Sequence, residues 1–386
     1  MKIEIYSPTI RRREMDAVLT AMVEEKIGPG ERSRLLIQTA KDHLHFEYAL
    51  ALRSPAVALF LALKAVNAKP GQTVIISALS PRYYLQVLQD LHLTPLYCDV
   101  TYDFPCMNRE LIENAIVNYK ETTANQAGGD DSASPFETAA VVLHHNLGFV
   151  PDAAGIAELG IPVIEDISQS YGFWLKSKKD ETASDNLENN KEKSNTSVSQ
   201  LPAPVSQLNG IFFILGLEER DMLTSGGGAL LFAMNRKDGA SLRNFTGIAG
   251  EYCLPDINAA LAVVQFKEAQ RNIERRRDIA GIFIKASLSL SSRTKHKRFI
   301  TPDNNEYCNY SFSLILETGL KEVTQYAKKK EIEIENAFDN TIAGAGLCGD
   351  CPVSNSLVLR TVLFPIYPRL HSNDVERISR LIMTLP

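Results

Sequence analysis

Short apolar runs that alternate with helix-like segments fill the first two-thirds of the chain. Strand, helix, strand at short spacing is the pattern of parallel βαβ units, because two parallel strands need a crossover between them. Helices cover both faces of the sheet that such units build. We therefore predict an α/β fold with a mostly parallel sheet, whose strands include the apolar runs at 73–76, 95–98, 140–143, 161–164 and the run that starts at Phe212.

The last third of the chain has a different pattern. One long helical segment, 257–287, precedes a strand and two further helices. Since a chain of 386 residues suggests two domains more readily than one, we expect a large α/β domain over 1–250 and a smaller α+β domain over 251–386. The long segment carries four arginines, which we interpret as a solvated or interfacial helix face: Arg271, Arg275, Arg276 and Arg277.

Three other stretches carry structural expectations. A helix near the start has five apolar residues on one face, namely Met15, Val18, Leu19, Met22 and Val23. Residues 121–134 are polar and predict a surface loop. Residues 176–207 contain almost no large apolar side chains, so we expect a disordered insertion there, with a partner-binding tail as the alternative.

Composition excludes several classes of function. The net charge of −5 argues against a nucleic-acid or anionic-membrane partner. We find no apolar stretch of the length that a membrane span needs, about 20 residues, and no signal-peptide pattern at the start. We expect a cytoplasmic protein without a disulfide framework or a metal site. The pair Cys348 and Cys351 could serve metal or redox chemistry, but two small residues in a Gly-rich loop explain it better.

Two motifs lie where a parallel sheet binds ligands, beyond the carboxyl ends of its strands. The 161–164 run leads directly into Glu165 and Asp166. An acid at this place can pair with the protonated nitrogen of a bound heterocycle, or it can cap a helix. The second motif is FFILGLEERDMLTSGGGALLF, in which a charged turn and three glycines separate two apolar runs.

A series of segments in a fixed order resembles the DegT/DnrJ/StrS family of sugar aminotransferases. The resemblance covers nearly the whole chain except the insertion. It implies the aspartate-aminotransferase fold, a pyridoxal phosphate cofactor, a homodimer with sites at the subunit interface, a nucleotide-linked keto-sugar as acceptor and glutamate as donor. The segments are IGPG, FEYALALRSPAVALFLAL, GQTVIIS, LTPLYCDV, HHNLGFVPD, IPVIEDISQSYG, DINAALAVVQF and VLFPIYPRL.

Only part of the family's cofactor site is present. Asp166 and Gln169 match the acid and the glutamine of the family's EDxAQ motif, and Ser54 matches the first residue of its phosphate turn. The remaining positions differ. Proline has no N–H and alanine has no hydroxyl to offer a phosphate. The altered positions are Pro55 and Ala56 in the phosphate turn, Pro81 at the stacking aromatic, Leu215 at the second phosphate-binding serine, and Glu251-Tyr252-Cys253 at the partner-subunit Asn-x-Arg segment.

The Schiff-base lysine is also missing. Counting back from the glycines places the lysine position at Arg220, or at Glu219 if the turn is one residue shorter. A guanidinium stays protonated and does not form the imine. A mobile lysine in the insertion, Lys176, Lys178 or Lys179, is the only substitute that we consider, and its ordinary pKa would make it a poor nucleophile.

Three hypotheses about function follow. The first is a degenerate family member that uses no pyridoxal phosphate and acts as a binding or partner subunit in nucleotide-sugar or surface-polysaccharide metabolism, as a homodimer with a sugar-nucleotide ligand or a protein partner. The second is an active aminotransferase with rearranged cofactor attachment. The third is a pocket adapted to an unrelated ligand, lined by Asp166, Gln169, His144, His145 and Arg220.

Overall fold

The structure is a computed structural model that describes residues 2–126, 137–174, 211–291, 293–301, 306–317 and 319–386. The predicted insertion at 176–207, which includes Lys176, Lys178 and Lys179, lies outside the described residues. So do residues 127–134 of the predicted loop.

Twelve strands are present in the described part of the chain. In chain order they are β1 (Tyr48–Leu52), β2 (Thr73–Ser77), β3 (Thr94–Cys98), β4 (Thr138–His144), β5 (Phe149–Val150), β6 (Val163–Asp166), β7 (Phe212–Gly216), β8 (Ala229–Ala233), β9 (Glu306–Tyr307), β10 (Phe312–Ile315), β11 (Glu335–Asn336) and β12 (Thr361–Phe364).

Eleven α-helices accompany these strands in the same described ranges. They are α1 (Arg12–Val23), α2 (Glu31–Leu44), α3 (Pro55–Ala65), α4 (Tyr83–Asp90), α5 (Arg109–Gln126), α6 (Ala153–Ala157), α7 (Arg236–Arg243), α8 (Asp256–Ser291), α9 (Leu320–Lys329), α10 (Pro352–Arg360) and α11 (Ser372–Met383).

Seven strands form the main sheet, in the order β1-β8-β7-β6-β4-β2-β3. The strands from β7 to β3 pair in parallel, and only β8 pairs antiparallel with both of its neighbours. The predicted α/β class with a mostly parallel sheet is therefore confirmed. All predicted strands of the sheet are present, and their carboxyl ends lie on one edge, where the functional site is found.

The long helix α8 contributes to two apolar cores. Its first half packs against the main sheet, where Phe266 joins Phe213 and Phe232. Its second half packs against the smaller sheet β10-β12-β11, where Phe283 meets Phe312 edge to face. The helix thus connects the main sheet with the carboxyl-terminal part of the chain.

One local expectation is corrected by the structure, and two others are made more definite. Residues 121–126 belong to helix α5 and are not loop. Among the four arginines of α8, Arg276 is 7% exposed and buried between elements, whereas Arg271 is exposed. Helix α1 packs on α8 through the side that holds Glu14 and Ala21, because Glu14 bonds to the backbone of Arg11 and to Gln265.

The apolar face of α1 consequently points outward. Met15, Leu19 and Met22 are each more than half exposed, at 51%, 55% and 52%. Periodicity identified the helix but not the direction of its apolar face. In the described residues no helix is long and apolar enough to cross a membrane.

The two cysteines of the CxxC pair lie just before the start of α10. Both Cys348 and Cys351 are buried free thiols, and burial raises the pKa of each. Within the described ranges no cluster of three or more histidine, cysteine or acidic side chains could hold a metal ion.

Asp256 at the start of α8 holds the loop that leads into α2. Its carboxylate accepts hydrogen bonds from the backbone N–H groups of Gly30 (2.9 Å), Arg32 (3.0 Å) and Ser33 (2.8 Å), and from the Ser33 hydroxyl (2.7 Å). Burial alone would raise the pKa of Asp256, but these donors outweigh it and the pKa is lowered.

Replacing Asp256 by alanine should therefore destabilise the fold. We expect a loss of about 2–4 kcal/mol in the free energy of unfolding, because several donors lose a charged acceptor together. Since the folded pKa is depressed, this stability is present above the unfolded carboxyl pKa of about 3.9 and is lost as the pH falls through the folded value.

Urea titrations at neutral pH and at pH values below about 3.9 measure both effects. Asp278→Ala, a change at an exposed acid on the same helix, is the matched control and should lose little. Equal losses for the two variants at neutral pH would contradict this role of Asp256.

Candidate functional site

Asp166 is the last residue of β6 and is 1% exposed. Its Oδ2 accepts hydrogen bonds from the hydroxyls of Tyr84 (2.7 Å) and Tyr83 (3.2 Å), both from helix α4. The Nδ1 atom of His144, at the end of the neighbouring strand β4, lies 3.3 Å from the same oxygen. Side chains from two elements therefore surround one oxygen of this carboxylate.

The other oxygen of Asp166 is equally engaged. Its Oδ1 accepts hydrogen bonds from the backbone N–H (3.1 Å) and the hydroxyl of Ser168. That hydroxyl in turn accepts the N–H of Gly216 at 2.7 Å. Burial alone would raise the pKa of Asp166, but His144 and the hydroxyl donors outweigh it and hold the pKa well below its usual range. Asp166 is an ionised carboxylate whose two oxygens are bound by the protein itself.

A cleft of about 420 Å³ opens beside this network. Three of the predicted pocket residues line it, namely His144, Gln169 and Arg220. Asp166 and His145 do not line it, so the prediction of a pocket formed by all five is wrong in these two positions. The other lining residues are Leu79, Pro81, Asn146, Leu147, Asp221, Tyr310, Glu335, Asn336, Ala337, Phe338, Asp339, Asn340, Thr341 and Leu363.

The two histidines of β4 and its end have separate environments. His145 is fully buried, with Nδ1 2.7 Å from the Ser170 hydroxyl and Nε2 3.2 Å from a carboxylate oxygen of Glu165. His144 contacts both Asp166 and the cleft. Gln169 uses its Oε1 to accept the N–H of Leu147 at 2.7 Å, which fixes the side chain at the wall of the cleft.

Arg220 occupies the turn after β7, where the resemblance places the lysine. Its Nη1 lies 2.7 Å and 2.8 Å from the two carboxylate oxygens of Glu335 on β11. The Tyr310 hydroxyl donates to the backbone oxygen of Arg220 at 3.1 Å. Arg220 thus connects the main sheet to the smaller sheet at the edge of the cleft.

Asp221, the next residue, stabilises the turn with its own side chain. Its Oδ2 accepts the N–H of Glu218 at 2.8 Å. A Cβ atom on Gly216 would lie 2.3 Å from that oxygen, so only glycine fits there. Burial raises the pKa of Asp221 well above its usual range, and the nearby negative charge of Asp166 raises it further. The hydrogen bond from the Glu218 N–H lowers the pKa but does not cancel the rise. The turn is held by its own aspartate and does not need a bound group to keep its shape.

The positions that correspond to the family's phosphate site have structural roles. Ser54 caps helix α3, with its hydroxyl accepting the N–H of Val57 at 3.3 Å, and Pro55 is the first residue of that helix. Leu215 is fully buried in the apolar core. Glu251 is exposed in a short 3₁₀ turn, 250–252. Ser54 does not line the cleft, and neither Pro55 nor Leu215 offers a donor to a phosphate.

Comparison with known proteins identifies the family. Residues 8–184 and 231–383 match the DegT/DnrJ/EryC1/StrS aminotransferase family. The chain belongs to this family. The resemblance seen in the sequence is therefore confirmed over most of the chain.

A curated relative and two solved structures are similar along nearly their whole length. The dTDP-4-dehydro-2,3,6-trideoxy-D-glucose 4-aminotransferase of Saccharopolyspora spinosa is 23% identical over 408 residues, which are 98% of this chain and 95% of the relative. The structure of DesV from S. venezuelae in complex with a ketimine intermediate has a TM-score of 0.77 at 15% identity, covering 99% of this chain and 98% of that chain.

The second structure is the GDP-4-keto-6-deoxy-D-mannose-3-dehydratase of E. coli with bound hydrated pyridoxal phosphate. It has a TM-score of 0.74 at 14% identity and covers 99% of both chains. These likenesses establish a fold shared with pyridoxal-phosphate proteins. They say nothing by themselves about the residues of this site.

The described residues do not fit pyridoxal phosphate in the way the family holds it. The acid that would meet the pyridine nitrogen, Asp166, is already bound on both oxygens and lies outside the cleft. The described residues that line the cleft include no lysine. The phosphate turn has Pro55 and Ala56 after Ser54, so it lacks one backbone N–H and one hydroxyl that the resemblance implies for a phosphate site.

Sequence reasoning missed the residues that close this site. Tyr83 and Tyr84 follow β2, which lies beside β4 in the sheet. The carboxyl ends of neighbouring parallel strands meet at one edge, so two tyrosines just beyond β2 could have been placed near Asp166. Glu335 and Tyr310 lie far along the chain, and no local pattern linked them to Arg220.

Removing the Tyr84 hydroxyl tests this network. We expect Tyr84→Phe to lower the free energy of unfolding by about 1–3 kcal/mol, because a buried carboxylate loses its shortest tyrosine donor. Tyr83→Phe is the matched control and should lose less, since its bond is longer and its side chain is only partly buried.

The difference should depend on pH. The depressed pKa of Asp166 means that the network stabilises the fold above the unfolded carboxyl pKa of about 3.9, and the benefit is lost as the pH falls towards the folded value. Urea titrations of both variants from neutral to acidic pH measure it. A Tyr84→Phe variant as stable as the wild type at neutral pH would contradict the network.

Proposed function

We propose that this chain is a family member that does not carry out pyridoxal-phosphate-dependent transamination. The observation that carries the proposal is the state of Asp166, whose oxygens accept protein donors on every side. A pyridine nitrogen would have to displace the Tyr84 hydroxyl from a buried carboxylate. Displacing it would leave a buried polar group without its partner, at a cost of about 1–3 kcal/mol.

The lysine position supports the same conclusion. Arg220 forms a bidentate ion pair with Glu335 and cannot form an imine. The turn that carries it is held by Asp221. We infer that this turn now stabilises the contact between the two sheets, and that Arg220 has a structural role there.

The role that we propose is that of a binding or partner subunit in nucleotide-sugar or surface-polysaccharide metabolism. The cleft persists at about 420 Å³ and is lined by amide and carboxyl side chains that suit hydroxyl groups. The relative from Saccharopolyspora spinosa is named for a dTDP-linked sugar. We extend that ligand class to this chain, with a protein partner as the other form of the proposal.

We further propose a homodimer, as is typical of the family. The exposed apolar face of α1, formed by Met15, Leu19 and Met22, supports a surface that a second copy covers. We also keep the two-domain division at residues 250 and 251 as a proposal. The continuous helix α8 would then be the rigid connection between the domains.

The first test is absorbance after incubation with pyridoxal phosphate. We expect no protein-bound visible band that borohydride abolishes, in the wild type or in Arg220→Lys. A single lysine is not enough, because Asp166 would still be bound by protein donors and could not pair with the ring. Pro55 and Leu215 would still provide no side-chain donor for the phosphate. A band and transamination in the wild type would overturn the proposal, and a band in Arg220→Lys alone would show that the lysine was the only loss.

The second test concerns the dimer. Obligate interfaces bury more than about 2,000 Å², so we expect the wild type to sediment as a dimer at micromolar concentration. Leu19→Glu should weaken the dimer by placing a charge in its apolar surface. Val117→Glu, at an exposed apolar residue of α5, is the control and should remain dimeric. A monomeric wild type, or identical behaviour of both variants, would contradict the proposal.

A further inference from the structure

A second, smaller cavity adjoins the cleft. It has a volume of about 60 Å³ and shares Arg220, Tyr310, Glu335 and Leu363 with the larger space. Its other walls come from the amino-terminal segment, from α8 and from residues in and near the smaller sheet. They are Ile5, Tyr6, Arg276, Ser311, Phe364, Ile366 and Tyr367. Several separate parts of the fold therefore converge on one small space.

Arg276 brings a buried positive charge to this cavity. Only 7% of the residue is exposed. Its Nη1 donates to the backbone oxygens of Tyr310, at 2.9 Å, and Ile366. Within the described ranges Arg276 forms no ion pair with a carboxylate. Burial lowers the pKa of its guanidinium, yet arginine stays charged in proteins. A buried cation without a counter-charge is costly, and a bound anion would relieve that cost.

Tyr6 brings an unused donor. Its hydroxyl oxygen is buried and has no hydrogen-bond partner in the described structure. Burial raises the pKa of Tyr6 far above its ordinary value, although the charge of Arg276 opposes this. The hydroxyl is therefore a neutral O–H that can donate. Buried polar groups normally have a partner, so this one indicates a missing acceptor at the cavity.

The nearby acids indicate the charge of the ligand. Glu335 lines the cavity but is held by Arg220, whose guanidinium carbon lies 5.9 Å from the centre of the Tyr6 ring. Asp221 and Tyr6 line a neighbouring cavity, but burial raises the pKa of Asp221 well above its usual range, so this acid adds little negative charge. Glu335 is therefore the acid that disfavours a doubly charged ligand. The volume admits a few water molecules or one small group, and it is too small for a sugar or a base.

We propose that this cavity binds one small oxyanion, a carboxylate group in preference to a phosphate, between Arg276 and the Tyr6 hydroxyl. Arg276 supplies the charge, and Tyr6 donates a hydrogen bond. Arg220 lies at the mouth of the cavity, where its guanidinium is paired with Glu335. The proposal does not depend on the loss of transamination.

Thermal unfolding with increasing sodium acetate, sodium phosphate or sodium chloride, at matched ionic strength, tests the site. A ligand that binds only the folded state raises the melting temperature in a saturable way. We expect saturable stabilisation of the wild type by acetate, and not by chloride. Phosphate also stabilises proteins without binding them, because it is excluded from their surface. Variants of the cavity residues therefore have to separate this general stabilisation from specific binding.

Tyr6→Phe is the main variant, because it removes a hydroxyl that forms no hydrogen bond within the described residues, and it should leave the free protein folded. We expect it to weaken acetate binding about fivefold, as the loss of one hydrogen bond would. Tyr326→Phe is the control and should bind like the wild type, since its hydroxyl bonds to Thr384 and it is not among the residues that line the cavity. An equal acetate response in wild type and Tyr6→Phe would overturn the proposal. So would saturable binding of phosphate without acetate.

Discussion

The buried carboxylate of Asp166 is the interaction on which the arrangement of the site depends. An ionised group with 1% exposure is tolerated only when its oxygens are paired. Here the pairing comes from α4, through Tyr83 and Tyr84, from the end of β4, through His144, and from the turn after β6, through Ser168. The carboxylate therefore joins the edge of the sheet to the helix that covers it.

The family fold does not depend on which residues lie at the ends of the strands. The sheet, its strand order and α8 bury apolar surface irrespective of chemistry at the strand ends. Fold and function are separable for this reason. Ser54 caps a helix, Arg220 pairs with Glu335 on the smaller sheet, and Asp221 accepts a backbone N–H of its own turn. Each of these side chains bonds to protein atoms in the described structure.

The sequence predicted the fold well because its signal is local. Apolar runs identified the strands of the main sheet except β1, and helical periodicity identified the long helix α8. The same local signal did not show which face of a helix points to solvent, or which of its polar side chains are buried. It did not show that the apolar face of α1 points outward, or that Arg276 is buried while Arg271 is exposed. Which side of a helix is buried depends on its neighbours in space, and periodicity carries no information about them.

The sequence predicted the properties of the site only where a single residue type is enough to decide whether a reaction is possible. The absence of a lysine at Arg220 follows from the sequence alone, whereas the closing of Asp166 by Tyr84 depends on two segments separated by 82 positions. No local pattern in the sequence marks such a hydrogen bond, and the one clue was that the tyrosines come just after β2, which lies beside β4 in the sheet. The partnership of Arg220 with Glu335, across 115 positions, was hidden for the same reason.

The most direct measurement is a crystal structure grown with an excess of pyridoxal phosphate. The account predicts that the Tyr84 hydroxyl stays within hydrogen-bond distance of Asp166 Oδ2 and that no pyridine ring lies against this carboxylate. Electron density for a ring with its nitrogen on Asp166, and Tyr84 moved away, would contradict it.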